Sequence, residues 1–327
     1  MKINKLQLSY TKINDIAIHL YHITSNGEYY SFKERNKKIF RKYLSMNKTQ
    51  IFNMINNTKL FGIKSGQIVG NNDILPRISI VMSYYNRRKQ AYNTLKSIEQ
   101  SKFKDFEVIL VDDGSSPEHR FEELQDQFPY LRIIRIEPED KWYTNPCVPF
   151  NIGIKEAKGE IIVLQNPECM HVHDVLDYIN NNIDDSKYLS ISAYSLNEKL
   201  TNDLYRSIEN DNVLDFFKSL KKQVLTDNLI GWYNHSIHRP RYYHFCSAMT
   251  KKNMDLLGGF DEIYANGIGF DDDDFVERIK KIGLKLIIED NISVIHQWHK
   301  PFAYSRPNTV ELVNKNKSIF NARKDQK

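Results

Sequence analysis

The alternation of short β-branched strands with helical stretches constrains the fold of this 327-residue chain more than any other feature. Such alternation is typical of a parallel sheet with right-handed crossover connections. Ligands of these sheets bind at the carboxyl ends of the strands, which here are polar. From Pro76 onward the predicted strands are RISIVMSYYN, FEVILVDDGSS, LRIIRIE and EIIVLQ, and the predicted helices are RRKQAYNTLKSIEQS, PEHRFEELQDQFP and VPFNIGIKEAKG.

Composition excludes several classes of protein. The net charge is +5 and the basic residues are mixed with acidic ones, so no nucleic-acid partner is predicted. The 3 cysteines form no CxxC pair, which excludes a thiolate zinc site and suits a reducing compartment. The first residues contain no signal-peptide core, and no apolar run approaches the roughly 18 residues of a membrane span. We therefore expect a soluble cytoplasmic protein without a transmembrane segment, and peripheral contact with a membrane stays open.

Two neighbouring strand ends carry residues that suit a nucleotide. Asp113, at the end of VDD, can accept a hydrogen bond from a nucleobase N–H or from a ribose hydroxyl. On the strand beside it, Ser83 and Tyr85 are followed by Arg87; the tyrosine could stack on a base and the arginine could approach phosphate. Ordinary turn chemistry explains these residues equally well.

The sequence GFDDDDF is the strongest local signal for chemistry. Consecutive carboxylates repel one another, but a helix N-terminus offsets that cost through its free N–H groups and dipole. Crowding also raises the pKa of each carboxyl group, as a general base requires. A solvated acidic cap or a calcium loop is the alternative.

The strand-to-loop sequence IHQWHKP supplies two histidines, His296 and His299, shortly after the acidic run. A single histidine is more often structural than a ligand. Two of them so close to a carboxylate cluster make a metal-binding role as plausible as a structural one.

Four of these segments resemble, in order and spacing, the family 2 glycosyltransferases of the GT-A fold. The resemblance covers about residues 76–300, and its last part also resembles the C-terminal region of galactosyl- and N-acetylgalactosaminyltransferases. It implies a GT-A (Rossmann-like) α/β fold, with a mostly parallel sheet flanked by helices and an N-terminal accessory segment. The segments are PRISIVMSYYNRR, FKDFEVILVDDGSS, NIGIKEAKGEIIVLQ and GGFDEIYANGIGFDDDDFVERI.

Position by position, the resemblance implies a role for each candidate residue. The family's acidic pair falls on Asp271 and Asp272, of which Asp272 would be the catalytic base, and its metal-binding histidine falls on His296. The family's nucleoside-binding residues fall on Ser83, Tyr85 and Asp113, and we expect Arg87 and Asn166 to bind the donor as well.

The sequence also departs from the family's pattern. The Asp-x-Asp metal motif falls on QNPE, which leaves Glu168 as the only acid in that turn. In addition, Phe150 stands where an arginine often precedes the asparagine of the family's N-x-G motif. A cation bound mainly through a diphosphate needs only one or two protein ligands. We therefore expect Glu168 and His296 to hold Mn2+ (or Mg2+), and His171 and His173 to begin the next helix.

The resemblance implies an inverting glycosyltransferase that moves a sugar from a UDP-sugar donor to a hydroxyl acceptor on a glycan, lipid or protein. A nucleotidyltransferase and a non-catalytic sugar-binding protein that lost its metal motif are the alternatives. The expected parts are an accessory segment (residues 1–75), a nucleotide-sugar-binding half (76–194), an acceptor-binding and catalytic half (195–300) and a C-terminal tail (301–327).

Overall fold

The computed structural model of the protein describes residues 75–220, 224, 230–300 and 306–324. The chain divides into two compact units after Asn72, and the described residues all belong to the second unit. The accessory segment expected for residues 1–75 therefore lies outside the described residues, apart from Leu75. Among the described helices none has the length and apolar character that crossing a bilayer requires.

Within the described residues, nine strands form one sheet in the order β3-β2-β1-β4-β8-β6-β9-β5, with β7 paired to β6. The strands β3, β2, β1 and β4 run parallel, as do β6 and β9. Antiparallel pairs join β4 to β8, β8 to β6, β6 to β7, and β5 to β9. The bounds are β1 Ile78–Tyr84, β2 Phe106–Asp113, β3 Leu131–Ile136, β4 Ile161–Gln165, β5 Cys169–His171, β6 Lys187–Ser195, β7 Gly231–Asn234, β8 Cys246–Thr250 and β9 Lys285–His296.

Helices cover the sheet, and their ends follow ordinary capping chemistry. Asp174 and Asn197 cap helices α3 and α4 by accepting backbone N–H groups, and Gly258 ends α6 in the left-handed conformation. The bounds are α1 Arg88–Glu99, α2 Cys147–Glu156, α3 Val175–Asn182, α4 Glu198–Glu209, α5 Val213–Ser219, α6 Lys251–Leu257, α7 Asp271–Lys281 and α8 Thr309–Lys324.

The core has two sides because successive residues of a strand point to opposite faces of the sheet. On one face Ile80 of β1 packs in a cluster with Leu95 of α1. On the other face Val81 packs in a cluster with Ile154 of α2. The α/β fold with its parallel half-sheet, predicted from the alternating pattern, is confirmed.

One predicted helix is wrong. The segment PEHRFEELQDQFP forms two short 3-10 turns, Pro117–His119 and Glu122–Gln127, rather than an α-helix. Phe121 and Phe128 are fully buried at the two ends of the second turn, and Leu124 between them packs against the same core cluster. Their spacing is helical, but Arg120 is extended (ψ 147°) between the two turns, so the helical backbone is interrupted and each turn stays short.

The parallel pairing places the polar strand ends at one edge of the sheet. Tyr84 at the end of β1 lies opposite Asp112 of β2, and Val81 of β1 lies opposite Leu164 of β4. The turns that follow β1, β2 and β4 therefore begin side by side.

The C-terminal helix α8 packs against the turn that leads into α7. Phe270 adopts a left-handed conformation (φ 64°) immediately before α7, and its ring lies against Phe320 of α8. The fully buried Asn316 donates through Nδ2 to the carbonyls of Tyr264 (3.0 Å) and Gly269 (2.8 Å). The expected C-terminal tail thus contains a helix that fixes the start of α7.

We expect Asn316→Ala to lower the free energy of unfolding by about 1–3 kcal/mol, because the buried Tyr264 carbonyl and the partly buried Gly269 carbonyl would lose their donor. Urea unfolding measures the change. Lys317→Ala, at an exposed position of the same helix, is the control. Equal stabilities of the two variants would contradict the role of the Asn316 amide.

Candidate active site

The turns after β1 and β2 are tied together by one asparagine. Asn86 has a left-handed backbone (φ 51°), which asparagine tolerates better than most residues. Its backbone N–H donates to Ser115 Oγ (3.0 Å), and its side-chain oxygen accepts from the N–H of Ser116 (2.9 Å). These bonds hold the two strand ends in fixed relation.

The two aspartates at the end of β2 have different surroundings. Asp112 is fully buried, accepts from the Ser115 N–H (2.8 Å) and lies 3.0 Å from an Arg135 nitrogen, so it stabilises the turn. Asp113 is partly exposed and accepts from Tyr143 Oη (2.6 Å) and Lys141 Nζ (2.9 Å). Asp113 is therefore the aspartate of the pair that a ligand can reach.

The other residues expected to bind the donor flank this position. Ser83 lies opposite Val111 near the end of β1, and the Nζ atom of Lys141 lies 5.0 Å from the ring centre of Tyr85. Arg87, which the sequence suggested for phosphate, instead donates to Glu168 Oε2 (2.9 Å). The arginine thus bridges the end of β1 and the QNPE turn.

The QNPE turn is fixed by internal hydrogen bonds. Gln165 is fully buried; its Nε2 donates to the Cys169 carbonyl (2.8 Å) and its Oε1 lies 3.0 Å from His171 Nε2. The N–H of Asn166 donates to the Phe245 carbonyl (3.1 Å). Burial lowers the pKa of His171 to about 3, so this histidine is neutral and structural.

His171 and His173 do not begin the next helix as expected. His171 ends β5, and helix α3 begins at Val175 after its cap Asp174. His171 is extended because it pairs with Val294 of β9 in the sheet.

Glu168 lies at the centre of a buried polar cluster. Its Oε1 lies 3.4 Å from His296 Nε2 and 3.5 Å from His299 Nε2, while Oε2 accepts from Arg87. Burial opposes ionisation of Glu168, but Arg87 and the two histidines outweigh it and hold its pKa well below the usual range. The group is therefore a carboxylate.

The donor atoms of this cluster suit a divalent cation. One oxygen of Glu168 and one ring nitrogen each of His296 and His299 lie within 4.8 Å of one another. Burial lowers the pKa of His296, which favours the neutral imidazole that binds metals. Mixed carboxylate and imidazole ligands suit Mn2+ and related ions.

Gln297 holds the histidine segment in place. It is fully buried, its N–H donates to the Glu168 carbonyl (3.0 Å), and its Nε2 lies 3.1 Å from that carbonyl and from the carbonyl of Gln90 in α1. The Gln90 side chain donates in turn to the Trp298 carbonyl (3.0 Å). The segment after β9 is thereby bound to the QNPE turn and to α1.

Each aspartate at the start of α7 has a different partner. The run occupies the first turn of the helix, where the free N–H groups and the dipole favour negative charge. Asp274 is buried and structural, whereas the side chain of Asp272 is 29% exposed. The partners are Asn145 for Asp271 (2.8 Å), His244 for Asp272, Tyr243 for Asp273 (2.7 Å) and Arg278 for Asp274 (2.8 Å).

Burial and the neighbouring charge of Asp272 raise the pKa of Asp271 to about 7, against the opposing hydrogen bond from Asn145. A carboxyl group with this pKa is largely protonated below neutral pH. The two adjacent side chains therefore need not carry full charge together.

Two connections join the acidic pair to the other candidate residues. Within one short segment, Lys141 and Tyr143 bind Asp113 while Asn145 binds Asp271. His244 contacts Asp272, and the next residue, Phe245, accepts from the N–H of Asn166 in the QNPE turn. The sequence-predicted residues of the strand-end turns and of α7 thus border one region.

Several residues of this region were missed by the sequence reasoning. Asn145, Tyr143 and Lys141 precede α2 in a stretch without a recognisable motif, and His244 lies in the irregular segment before β8. The NPC sequence just before a helix could have suggested a buried asparagine. Nothing local indicates that His244 contacts Asp272, because that pairing depends on the tertiary fold.

Comparison with known proteins shows similarity to glycosyltransferases. Residues 79–241 match the family model described as Glycosyl transferase family 2. The chain is 24% identical over 250 residues to chondroitin synthase from Escherichia coli and 24% identical over 268 residues to the uncharacterized glycosyltransferase YfnE from Bacillus subtilis, with 68% of this chain covered in each case. It spans 35% of the length of the former and 65% of the latter.

A solved structure shares the fold. TarS of S. aureus (residues 1–349), in complex with UDP-GlcNAc, superposes with a TM-score of 0.51 at 15% sequence identity, covering 72% of this chain and 64% of TarS. Together with the family match, this likeness confirms the GT-A fold expected from the sequence.

We expect the pKa of Asp271 to make stability depend on pH. A carboxyl group whose pKa is raised by folding stabilises the native state fully below its unfolded pKa, near 3.8, and loses that contribution as the pH rises through about 7. The asparagine of Asp271→Asn does not titrate, so the variant does not lose this stability as the pH rises. Its melting temperature relative to the wild type should therefore rise between pH 4 and 7.5, and a constant difference would contradict the assignment.

Proposed function

We propose that this chain, which carries a family 2 glycosyltransferase domain on a GT-A fold, transfers a sugar from a nucleoside diphosphate to a hydroxyl acceptor with inversion at the anomeric carbon. We take the donor to be a UDP-sugar, in keeping with the UDP-GlcNAc complex of TarS. The acceptor is a hydroxyl group of a glycan, lipid or protein.

The observation that carries the proposal is the position of Asp272. Its carboxylate is partly exposed at the start of α7, beside the buried Asp271 and near the QNPE turn through His244 and Phe245. A carboxylate in this position can receive a proton from an alcohol that approaches a donor bound at the strand ends.

The strand-end residues suit the nucleoside half of the donor. Asp113 is oriented by Tyr143 and Lys141 and keeps lone pairs for a base N–H or a ribose hydroxyl. Tyr85, beside Lys141, offers an aromatic face, while Ser83 and Asn166 add polar groups at the ends of β1 and β4. In this proposal Arg87 contributes to the donor site indirectly, because its ion pair with Glu168 stabilises the carboxylate that would hold the cation.

The chain's own residues would hold a divalent cation through Glu168, His296 and His299. His299 extends the pair expected from the sequence to three protein ligands. When bound, the cation neutralises negative charge on the leaving diphosphate, a contribution often worth several kcal/mol. Mn2+ suits this ligand set better than Mg2+, which prefers oxygen ligands.

In this proposal the sugar is transferred in a single displacement at the anomeric carbon. The acceptor oxygen forms a bond to the anomeric carbon while the bond from that carbon to the diphosphate oxygen breaks, and the electron pair leaves with the nucleoside diphosphate. The acceptor proton passes to Asp272, which then releases it to solvent. Asp271, bound to Asn145, orients sugar hydroxyls beside the reacting centre.

We further propose that residues 76–194 bind the donor and that residues 195–300 bind the acceptor and supply the base. The resemblance of the GGFDE–DDDD segment and its histidine to the C-terminal region of galactosyl- and N-acetylgalactosaminyltransferases supports this division.

Asp272→Asn tests the base. With a panel of UDP-sugars, Mn2+ and release of UDP as the assay, we expect turnover to fall about 100- to 10,000-fold because the proton acceptor is lost. Affinity for UDP, measured by calorimetry, should stay unchanged. Near-normal turnover of the variant would exclude the assignment, and release of pyrophosphate by the wild type would identify a nucleotidyltransferase instead.

Glu168→Gln and His299→Gln test the metal ligands. Each should weaken Mn2+ binding in the presence of UDP at least about tenfold, as measured by calorimetry without turnover. His238→Gln, which changes an exposed histidine of the loop before β8, is the matched control. Unchanged Mn2+ affinity in His299→Gln would remove His299 from the ligand set.

A further inference from the structure

We propose that His244 is a positioning residue that holds the Asp272 carboxylate in the orientation required for proton abstraction. The inference rests on the proposed function, because it assigns a partner to the base of that reaction. His244 does not touch the substrate in this proposal; it acts through Asp272.

The first support is the contact itself. His244 Nδ1 pairs directly with Asp272 Oδ1, and among the described residues neither atom has a hydrogen-bond partner elsewhere. The imidazole is 8% exposed and the carboxylate 29% exposed. One oxygen of the aspartate is thus directed inward to the histidine, and the other oxygen is left to accept the proton of the acceptor hydroxyl.

The second support is the fixed position of the imidazole ring. Phe150 of α2 and Phe260 lie edge-on to it, with ring centres 4.6 Å and 5.0 Å away. The backbone is fixed as well, because His244 precedes Phe245, whose carbonyl accepts from the QNPE turn, and Cys246, which begins β8 opposite Gln165. A ring packed against two aromatic neighbours can impose its orientation on an exposed carboxylate.

The third support is charge. Burial alone would lower the pKa of His244, but Asp272, with a further contribution from Asp271, outweighs burial and raises it. An imidazolium in this position balances the carboxylate of Asp272, while the raised pKa of Asp271 lets that neighbour stay protonated. The acidic pair and His244 can therefore coexist at low net charge in a buried setting.

A purely structural ion pair would have different consequences. Loss of a structural pair lowers stability and active concentration, whereas loss of a positioning contact lowers turnover in the folded protein. The two roles are separated by measuring turnover, the KM for the donor and thermal stability on the same samples.

The experiment compares His244→Phe with His244→Gln. Phenylalanine keeps an aromatic ring packed against Phe150 and Phe260 but cannot donate a hydrogen bond, while glutamine keeps a donor. With the UDP-sugar that the wild type hydrolyses fastest, we expect His244→Phe to lose turnover up to about 100-fold while the donor KM changes less than about twofold. His244→Gln should recover part of the loss.

Tyr243→Phe is the matched control, since it removes the hydroxyl that donates to the neighbouring Asp273. Its turnover should stay near the wild-type value. Wild-type turnover in His244→Phe, or an equal loss in the Phe and Gln variants explained by lower melting temperatures, would overturn the positioning role and leave sugar transfer intact. A wild type that hydrolyses no donor in the panel would overturn the proposed function itself.

The contact can also be measured without turnover. In the wild type, the NMR titration of His244 should give a pKa above 6.5, and Asp272→Asn should lower it because the main opposing charge is lost. An unchanged titration in Asp272→Asn would overturn the pairing on which the inference depends.

Discussion

The buried carboxylate of Glu168 is the interaction on which the arrangement of this region depends. An ionised carboxyl group removed from water is costly unless charge and hydrogen bonds compensate it. The compensation comes from Arg87 after β1 and from His296 and His299 at the end of β9. Residues far apart in sequence are thereby drawn to one turn. Removing any one of them leaves a buried group uncompensated, so the position of the cluster is strongly determined.

The second constraint is the crowding of acids at the start of α7. The helix N-terminus stabilises part of their negative charge. Two of the side chains also have partners of their own, since Asp271 accepts from the amide of Asn145 and Asp272 pairs with the imidazole of His244. The left-handed Phe270 before the helix is held by α8. A strained residue persists only where its surroundings fix it, and here the C-terminal helix provides that support.

The sequence predicts the fold well because periodicity and turn chemistry are local properties. Strands with β-branched residues, helices with one apolar face and the polar strand ends all follow from neighbours along the chain. Contacts between residues that are distant in the sequence do not follow from such local patterns. Arg87 suggested phosphate binding but pairs with Glu168, the FEEL segment lacks the α-helix expected of it, and His244 carries no motif. Each of these depends on which residue tertiary packing brings near.

The QNPE turn, on which the Asp-x-Asp motif of the resembling family falls, keeps one acidic residue instead of two. The amide of Gln165, the first residue of the turn, is fully used by the Cys169 carbonyl and His171, so it cannot serve a ribose. In the proposed function, Asp113 provides the polar contact with the nucleoside. Glu168 supplies the remaining acid, and its neighbours are imidazoles instead of a second carboxylate. Exchanging an oxygen ligand for nitrogen lowers the negative charge of the site and moves its preference from Mg2+ toward Mn2+. In the proposed function, the QNPE turn therefore favours Mn2+ over Mg2+, and the cation can still neutralise the charge of a diphosphate donor.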